Sequence, residues 1–391
     1  MRRALPGLLL VAAVGAFAAP PAEAIPAFAR KYQFSCTVCH AHVPRLKKFG
    51  EDFAKRGFRL EDPSQEPPRA TYDTGDPTLR LMHELPLALR FEGHGSTATG
   101  DEALNADVQW PWAFKVLSGG PISNHVSYYV YYILEKGGHG VVEDMWIQFS
   151  RIFNAPVDFT FGQFQVCDPM FKRELRLSRF DYQIFKTRVG LAPVDLTYDR
   201  GIIGSFAVPG GVETVVQLVN GNGIGEADGY NNYDNDSLKN LAVRVAWAGG
   251  KTRIGGFGYY GRAAGSSETR NRTYYIGPDL VIDFSDRWQL NLEYLERRDS
   301  NPMFLTDPAG SDWETRGGFA ELVYLPLGVD GKLSIAGLYN KVASDDENAR
   351  YHSTSAAVGW LLARNIRVTF EAGREFERKE TRFSIGVVTA F

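Results

Sequence analysis

From about residue 85 onward the side chains alternate in polarity, in runs of roughly ten residues separated by turn residues. Trp288, Leu290, Leu292 and Tyr294 alternate with Gln289, Asn291 and Glu293. Ile366, Val368, Phe370 and Ala372 alternate with Arg367, Thr369 and Glu371, and Leu241, Val243, Val245 and Trp247 with Ala242, Arg244 and Ala246. Successive side chains of a strand point to opposite faces, so each run is a strand with one apolar face. The 40 glycines and the 13% aromatic content fit a β-rich chain with many tight turns.

A soluble sandwich alternates in the same way, and three features favour a membrane barrel. Aromatics gather near strand ends, as in Trp110/Trp112, Tyr128 to Tyr132 and Tyr259/Tyr260, which suits interfacial girdles. Short turns at 248–250 and 363–365 alternate with long polar loops at 221–239, 263–272, 297–313 and 344–350. The last run places Phe383, Ile385, Val387, Thr389 and Phe391 in one largely apolar row ending in an aromatic. Residues 85–391 are therefore expected to form a transmembrane antiparallel β-barrel of about sixteen strands, with fourteen as the next even count. Such a barrel has room for an aqueous channel or a plug.

The chain before the barrel divides in three. Arg2 and Arg3, the apolar Leu8–Ala19 run and Ala22-Glu23-Ala24 read as a cleaved secretory signal peptide over 1–24, with Ile25 as the mature start. No later run offers 18 consecutive apolar residues, so no transmembrane helix is expected. Residues 25–60 form a small unit, and 61–84 a polar, proline-rich connector. The formal net charge of −3 offers no polycationic surface for nucleic acid. Three cysteines are too few for a disulfide scaffold.

Two of those cysteines stand in Cys36-Thr37-Val38-Cys39-His40. C-x-x-C-H is the attachment motif of c-type haem: the thiols add to the vinyl groups and the adjacent imidazole becomes an axial iron ligand. One motif implies one haem c. A thioredoxin-like pair would need a βαβ unit, and a zinc site a second ligand pair at short spacing, and neither follows. Leu46, Phe49 and Phe53 fall on one helical face, with Gly57 as a C-terminal stop and Phe28, Tyr32 and Phe34 adding aromatics before the motif. A unit this small cannot bury a haem alone and must lean on the rest of the chain.

For the distal iron ligand the candidates are Met82 and His83, at the end of the connector. Met145 and Met170 remain open, as does a water-bound site. His42 is too close to His40 to reach the opposite haem face, and His94, His125, His139 and His352 read as surface or lumen residues. The charged stretch from Cys167 to Arg188 breaks the strand rhythm, either as an inward-folded loop or as an ordinary solvated one. Cys167 reads as a bystander. No GxSxG, HExxH or P-loop argues for hydrolysis or nucleotide use.

The run Ile25 to Tyr32, the motif Cys36 to His40 and the run Pro44-Arg45-Leu46-Lys47-Lys48-Phe49-Gly50 resemble the fused monohaem cytochrome–porins of bacterial outer membranes. Gly162-Gln163-Phe164, Asp168-Pro169 and Phe171 to Arg176 are similar to a segment of the same group. The best-known branch, whose barrels are longer, oxidises extracellular ferrous iron and passes the electron inward. The resemblance implies Cys36, Cys39 and His40 as haem residues, and an electron conduit rather than a conventional catalyst. Its partners would be a periplasmic electron carrier, an extracellular electron donor or acceptor, and outer-membrane lipid. Two alternatives stand beside it: a diffusion porin with a haem sensor unit, and a soluble peroxidase-like haem enzyme fused to an all-β domain.

Overall fold

The computed structural model describes residues 27–66 and 72–391, apart from positions 77, 80, 83–84, 101–105, 137–138, 153–154, 235, 266–268, 309 and 311. The signal-peptide reading and His83 lie outside the described residues.

Sixteen strands close into one antiparallel ring. They are β1 (Leu87–Thr99), β2 (Asp107–Pro121), β3 (Val126–Lys136), β4 (His139–Phe149), β5 (Val157–Gln165), β6 (Tyr198–Val208), β7 (Val212–Val219) and β8 (Asn240–Gly249). The second half holds β9 (Thr252–Ala264), β10 (Arg270–Ser285), β11 (Trp288–Asp299), β12 (Trp313–Tyr324), β13 (Leu333–Ser344), β14 (Tyr351–Ala363), β15 (Ile366–Glu375) and β16 (Glu380–Ala390). Each strand pairs with its neighbours in sequence, and β16 closes on β1 from Arg90↔Ala390 to Thr99↔Thr381.

Which face of each strand is buried separates membrane barrel from soluble sandwich. Arg244 is 3% exposed while its neighbour Val245 is 48% exposed, and Glu293 is 4% exposed beside Tyr294 at 42%. The polar row faces inward and the apolar row outward. Water would penalise that arrangement, whereas a hydrocarbon surround favours it. Two of the inward arginines are paired, which offsets the cost of removing charge from bulk water, whereas neither carboxylate oxygen of Glu293 has a hydrogen-bond partner among the described residues. Arg244 donates to both Asp279 oxygens at 2.9 and 2.5 Å, and Arg297 to Asp299 at 2.5 and 3.1 Å.

The two rims differ. One carries both barrel termini and the connections at 122–125, 209–211, 250–251, 286–287 and 364–365; the other carries 166–197, 220–239 and 300–312. Two expected loops are shorter than the sequence suggested. The β9–β10 ladder continues through Arg272↔Arg262 to Arg270↔Ala264, and β11–β12 through Asp299↔Trp313. Backbone pairing needs no apolar side chains, so strands outrun their hydrophobic segment. The aromatic reading also needs correcting in part. Tyr131 and Tyr259 face the lumen, while Trp110 lies exposed and Tyr260 pairs with Tyr274 at 5.1 Å. Adjacent residues cannot share a face, so a Tyr-Tyr pair contributes only one ring to a girdle.

Segment 166–197 folds inward and crosses the lumen. Its base is held by Val166 N to Thr197 O at 2.7 Å and Cys167 N to Leu196 O at 3.0 Å. Phe171, Tyr182 and Phe185 pack on Phe257, Leu295 and Phe319 of the wall. The far side is reached where the Arg179 and Phe180 backbone N–H groups donate to Glu371 on β15. A short helix, α4 (Gln183–Lys186), lies within it. Burial pushes the Cys167 thiol well up, so it is an inert core residue.

The N-terminal segment forms three helices, α1 (Ala27–Tyr32), α2 (Cys36–Cys39) and α3 (Lys48–Lys55). Helix α3 starts two residues after Leu46, so only Phe49 and Phe53 of the expected face are helical. It stops where expected. Gly57 has φ +66°, its N–H bonds Ala54 O at 3.0 Å, and Phe58 N–H bonds Phe53 O at 2.9 Å. This is a Schellman end, which needs a residue tolerant of left-handed φ. Tyr32, Phe53 and Phe58 form an aromatic core that continues onto Tyr129 and Trp146 of the barrel.

Candidate functional site

The Cys36–His40 segment sits at the short-turn rim, against the inner wall. Helix α2 is capped by Ser35, whose side chain accepts from Thr37 N at 3.4 Å, and it closes with His40 N to Cys36 O at 2.8 Å. One helical turn brings the two cysteines to the same side. Both thiols are unpaired and partly exposed, and burial raises each above its ordinary pKa. Helix α3 packs directly behind them. A Cβ on Gly50 would lie 2.4 Å from the Cys39 carbonyl oxygen, so the close approach requires glycine.

His40 is oriented by backbone. Its Nδ1 lies 3.0 Å from Pro44 O and 3.2 Å from Arg45 O. Carbonyl oxygens only accept, so Nδ1 carries the proton and Nε2 keeps its lone pair. Burial lowers the His40 pKa, which keeps the ring neutral with Nε2 unprotonated.

The barrel grips the turn that orients this ring. Arg45 Nη1 donates to Glu321 Oε2 at 3.0 Å, and Arg367 Nη1 to Val43 O at 3.0 Å. Glu321 Oε2 also accepts from Tyr182 Oη at 3.0 Å and Asn291 Nδ2 at 2.6 Å. One buried carboxylate thus ties the motif segment, the lumen-crossing loop and two strands together. Further out, Lys47 Nζ reaches Asp330 at 2.6 Å, Lys55 Nζ reaches Glu213 at 2.8 Å, and Gln148 Nε2 donates to Lys55 O at 2.9 Å.

These residues fit a covalent haem c. Two free thiols share one side of a helical turn, and an adjacent imidazole presents an unprotonated Nε2. A closed zinc site fits less well, since no group of three or more His, Cys, Asp or Glu gathers among the described residues.

The distal position is less determined. Met82 is half-buried in the connector and belongs to neither of the buried clusters that touch the motif segment. Met170 lies in the lumen core and Met145 is exposed on the outer face. His42 is fully buried against the wall, with its Nε2 3.1 Å from where a Gly359 Cβ would stand. Burial pushes its pKa down to about 4. His94 is a buried lumen residue, His125 bonds Ser150 O at 3.1 Å in a short turn, His139 is exposed, and His352 stacks on Phe376 at 4.3 Å.

Sequence reasoning missed Glu321, Asn291 and Tyr182 as supports of the motif. The only signal for Glu321 and Asn291 is strand parity, which marks them as inward without naming what they meet, and Tyr182, outside any strand, has none.

No protein-family model and no curated protein sequence matches the chain. Solved structures do. A loop-L8 deletion mutant of OmpT, an outer membrane protein of Vibrio cholerae, aligns with TM-score 0.56 and 12% identity over 79% of this chain and 99% of that one. The outer membrane channel DcaP of Acinetobacter baumannii gives 0.56 and 10% over 79% and 97%. An anion-selective porin from Comamonas acidovorans gives 0.56 and 10% over 79% and 99%. The share covered is about that taken by the sixteen strands and their connections. At this identity the likeness establishes the fold: a closed antiparallel barrel of the outer-membrane porin type.

Proposed function

We propose that this protein is an outer-membrane barrel carrying one covalent haem c at its short-turn mouth, and that it passes electrons between a periplasmic carrier and an extracellular donor or acceptor. The supporting observation is His40, whose Nδ1 is spent on two backbone carbonyls beside two free thiols. In this reading 1–24 is the export signal, 25–60 the cytochrome unit, 61–84 the connector and 85–391 the barrel. The short-turn rim then faces the periplasm and the long loops face outward.

Bound haem would supply a one-electron couple. Cys36 and Cys39 would hold it by thioether bonds and His40 Nε2 would ligate its iron, with Met82 or His83 proposed as a second protein ligand. Arg45, Glu321 and Arg367 keep the His40 turn in place. The apolar outer wall insulates, and segment 166–197 occupies much of the lumen beyond the motif. No substrate bond is broken, so no acid–base pair is required. Ferrous iron as donor rests on the resemblance to cytochrome–porins.

A diffusion porin with a haem sensor unit is the second reading. It is favoured by the structural relatives, which include a channel and an anion-selective porin. Both readings are tested on full-length protein extracted from membranes of a host competent in haem attachment. The conduit predicts haem that survives denaturing electrophoresis, its loss in Cys36→Ser and Cys39→Ser, redox exchange with a periplasmic carrier, and low conductance in planar bilayers. Large open-channel conductance without electron exchange would favour the porin. Absence of covalent haem would end both haem readings and leave a plain barrel.

A further inference from the structure

The outer face of the barrel at its long-loop rim carries a charge pattern that the function above does not use. Along β9 and β10 the outward positions step from apolar to aromatic to basic. Ile276 opposes Gly258, Tyr274 opposes Tyr260, Arg272 opposes Arg262, and Arg270 opposes Ala264. Ile276 is 67% exposed and marks the hydrocarbon zone, and the Tyr274–Tyr260 pair marks its boundary. Arg262 and Arg272 therefore stand one step beyond the aromatic girdle and Arg270 two steps, at headgroup height.

Arg262 and Arg272 are like charges directly opposite each other, which destabilises a strand pair unless something neutralises them. The neighbouring column solves the same problem with carboxylates: Arg298 pairs with Glu314 at 3.1 Å, and Arg316 with the same Glu314 at 3.7 Å. Among the described residues no carboxylate lies within ion-pair distance of Arg262, Arg270 or Arg272. Arg262 instead donates from Nε to the Tyr260 hydroxyl and lies over that ring at 5.4 Å, which holds it against the girdle. The three arginines line a recess of about 430 Å³ together with Ser300, Asn301, Pro308 and Asp312.

We propose that Arg262, Arg270 and Arg272 bind the phosphate groups of an anionic lipid of the surrounding leaflet. Guanidinium forks match phosphate oxygens two at a time, and three of them around one recess favour a multiply charged phosphate. The position beyond an aromatic pair on the lipid-facing side commits the site to a membrane headgroup rather than to a solute of the lumen. The proposal rests on membrane insertion of the barrel and is independent of haem.

The test uses full-length protein in dodecyl maltoside, with bisphosphorylated lipid A as probe and native mass spectrometry as readout. Wild type is expected to retain the lipid, and the triple variant Arg262→Gln/Arg270→Gln/Arg272→Gln to bind it at least tenfold more weakly. Asp312→Asn removes a nearby negative charge and should bind it at least as well as wild type. Heat-modifiable migration on gels verifies that each variant is still a closed barrel. Arg298→Gln, on the neutralised column, should bind as wild type. Equal retention by wild type and triple variant would overturn the proposal. Inorganic phosphate that competes at low millimolar concentration and protects the arginines without lipid would overturn the headgroup assignment in favour of a soluble phosphate site.

Discussion

At the residue scale the informative group is His40. Two carbonyl acceptors on Nδ1 determine its tautomer, so Nε2 is left with a free lone pair. Those carbonyls belong to a turn held by Arg45 and Arg367 against the wall. Glu321→Gln should therefore be felt at the motif. It leaves Arg45 without its counter-charge in a half-dry site, a cost of about 1–3 kcal/mol. The expected result is a lower unfolding temperature in detergent and, in the haem-loaded protein, a shifted midpoint potential. An unchanged potential would mean that the carboxylate supports the fold only. Gly50→Ala should cost a similar ~1–3 kcal/mol, because the new Cβ would meet the Cys39 carbonyl at 2.4 Å. Reduced yield of covalent haem relative to apo-protein is the measurement.

At the element scale the decisive unit is segment 166–197. Its fold depends on Asp181, which receives Arg173 at 2.5 and 3.1 Å and lies 3.2 Å from Arg176. Burial alone would raise the Asp181 carboxyl, but Arg176 and Arg173 outweigh it and hold it well below the ordinary range. A carboxyl depressed in the folded state stabilises above its unfolded pKa of about 3.9, and that contribution is lost as pH falls through the folded value. The loop should stay seated at neutral and mildly acidic pH. Asp181→Asn should loosen it, read as faster proteolysis within 166–197 and higher bilayer conductance. The difference from wild type should shrink in strong acid, where wild type loses the same charge. Persistence of the full difference there would exclude this ion pair as the cause.

At the scale of the whole molecule, two insertions meet inside one barrel. The motif segment enters from the short-turn rim and segment 166–197 from the other. They join at Glu321 and at the contact of Ala41 with the Leu177 cluster. Deleting residues 27–60 removes the lower insertion and the aromatic cap on Tyr129 and Trp146. The shortened barrel should still fold, since every ladder closes within 87–390, and should conduct more than the full chain. Equal conductance would place the limiting constriction in segment 166–197 alone.

The sequence by itself determined the barrel and the motif. Period-two polarity is local, survives without knowledge of partners, and names the face of each residue in a strand, as Arg244 and Val245 show. C-x-x-C-H is equally local, since both thiols and the imidazole lie within one turn. Strand ends were less legible, because backbone ladders run past the apolar segment, as at Arg262 and Arg272. Only the tertiary structure decided that residues 166–197 turn inward, because charged loops suit water and a polar lumen equally. It alone decided that Glu321 meets both Arg45 and Tyr182, residues 276 and 139 positions away. Contacts across a lumen depend on barrel closure, which no window of sequence contains.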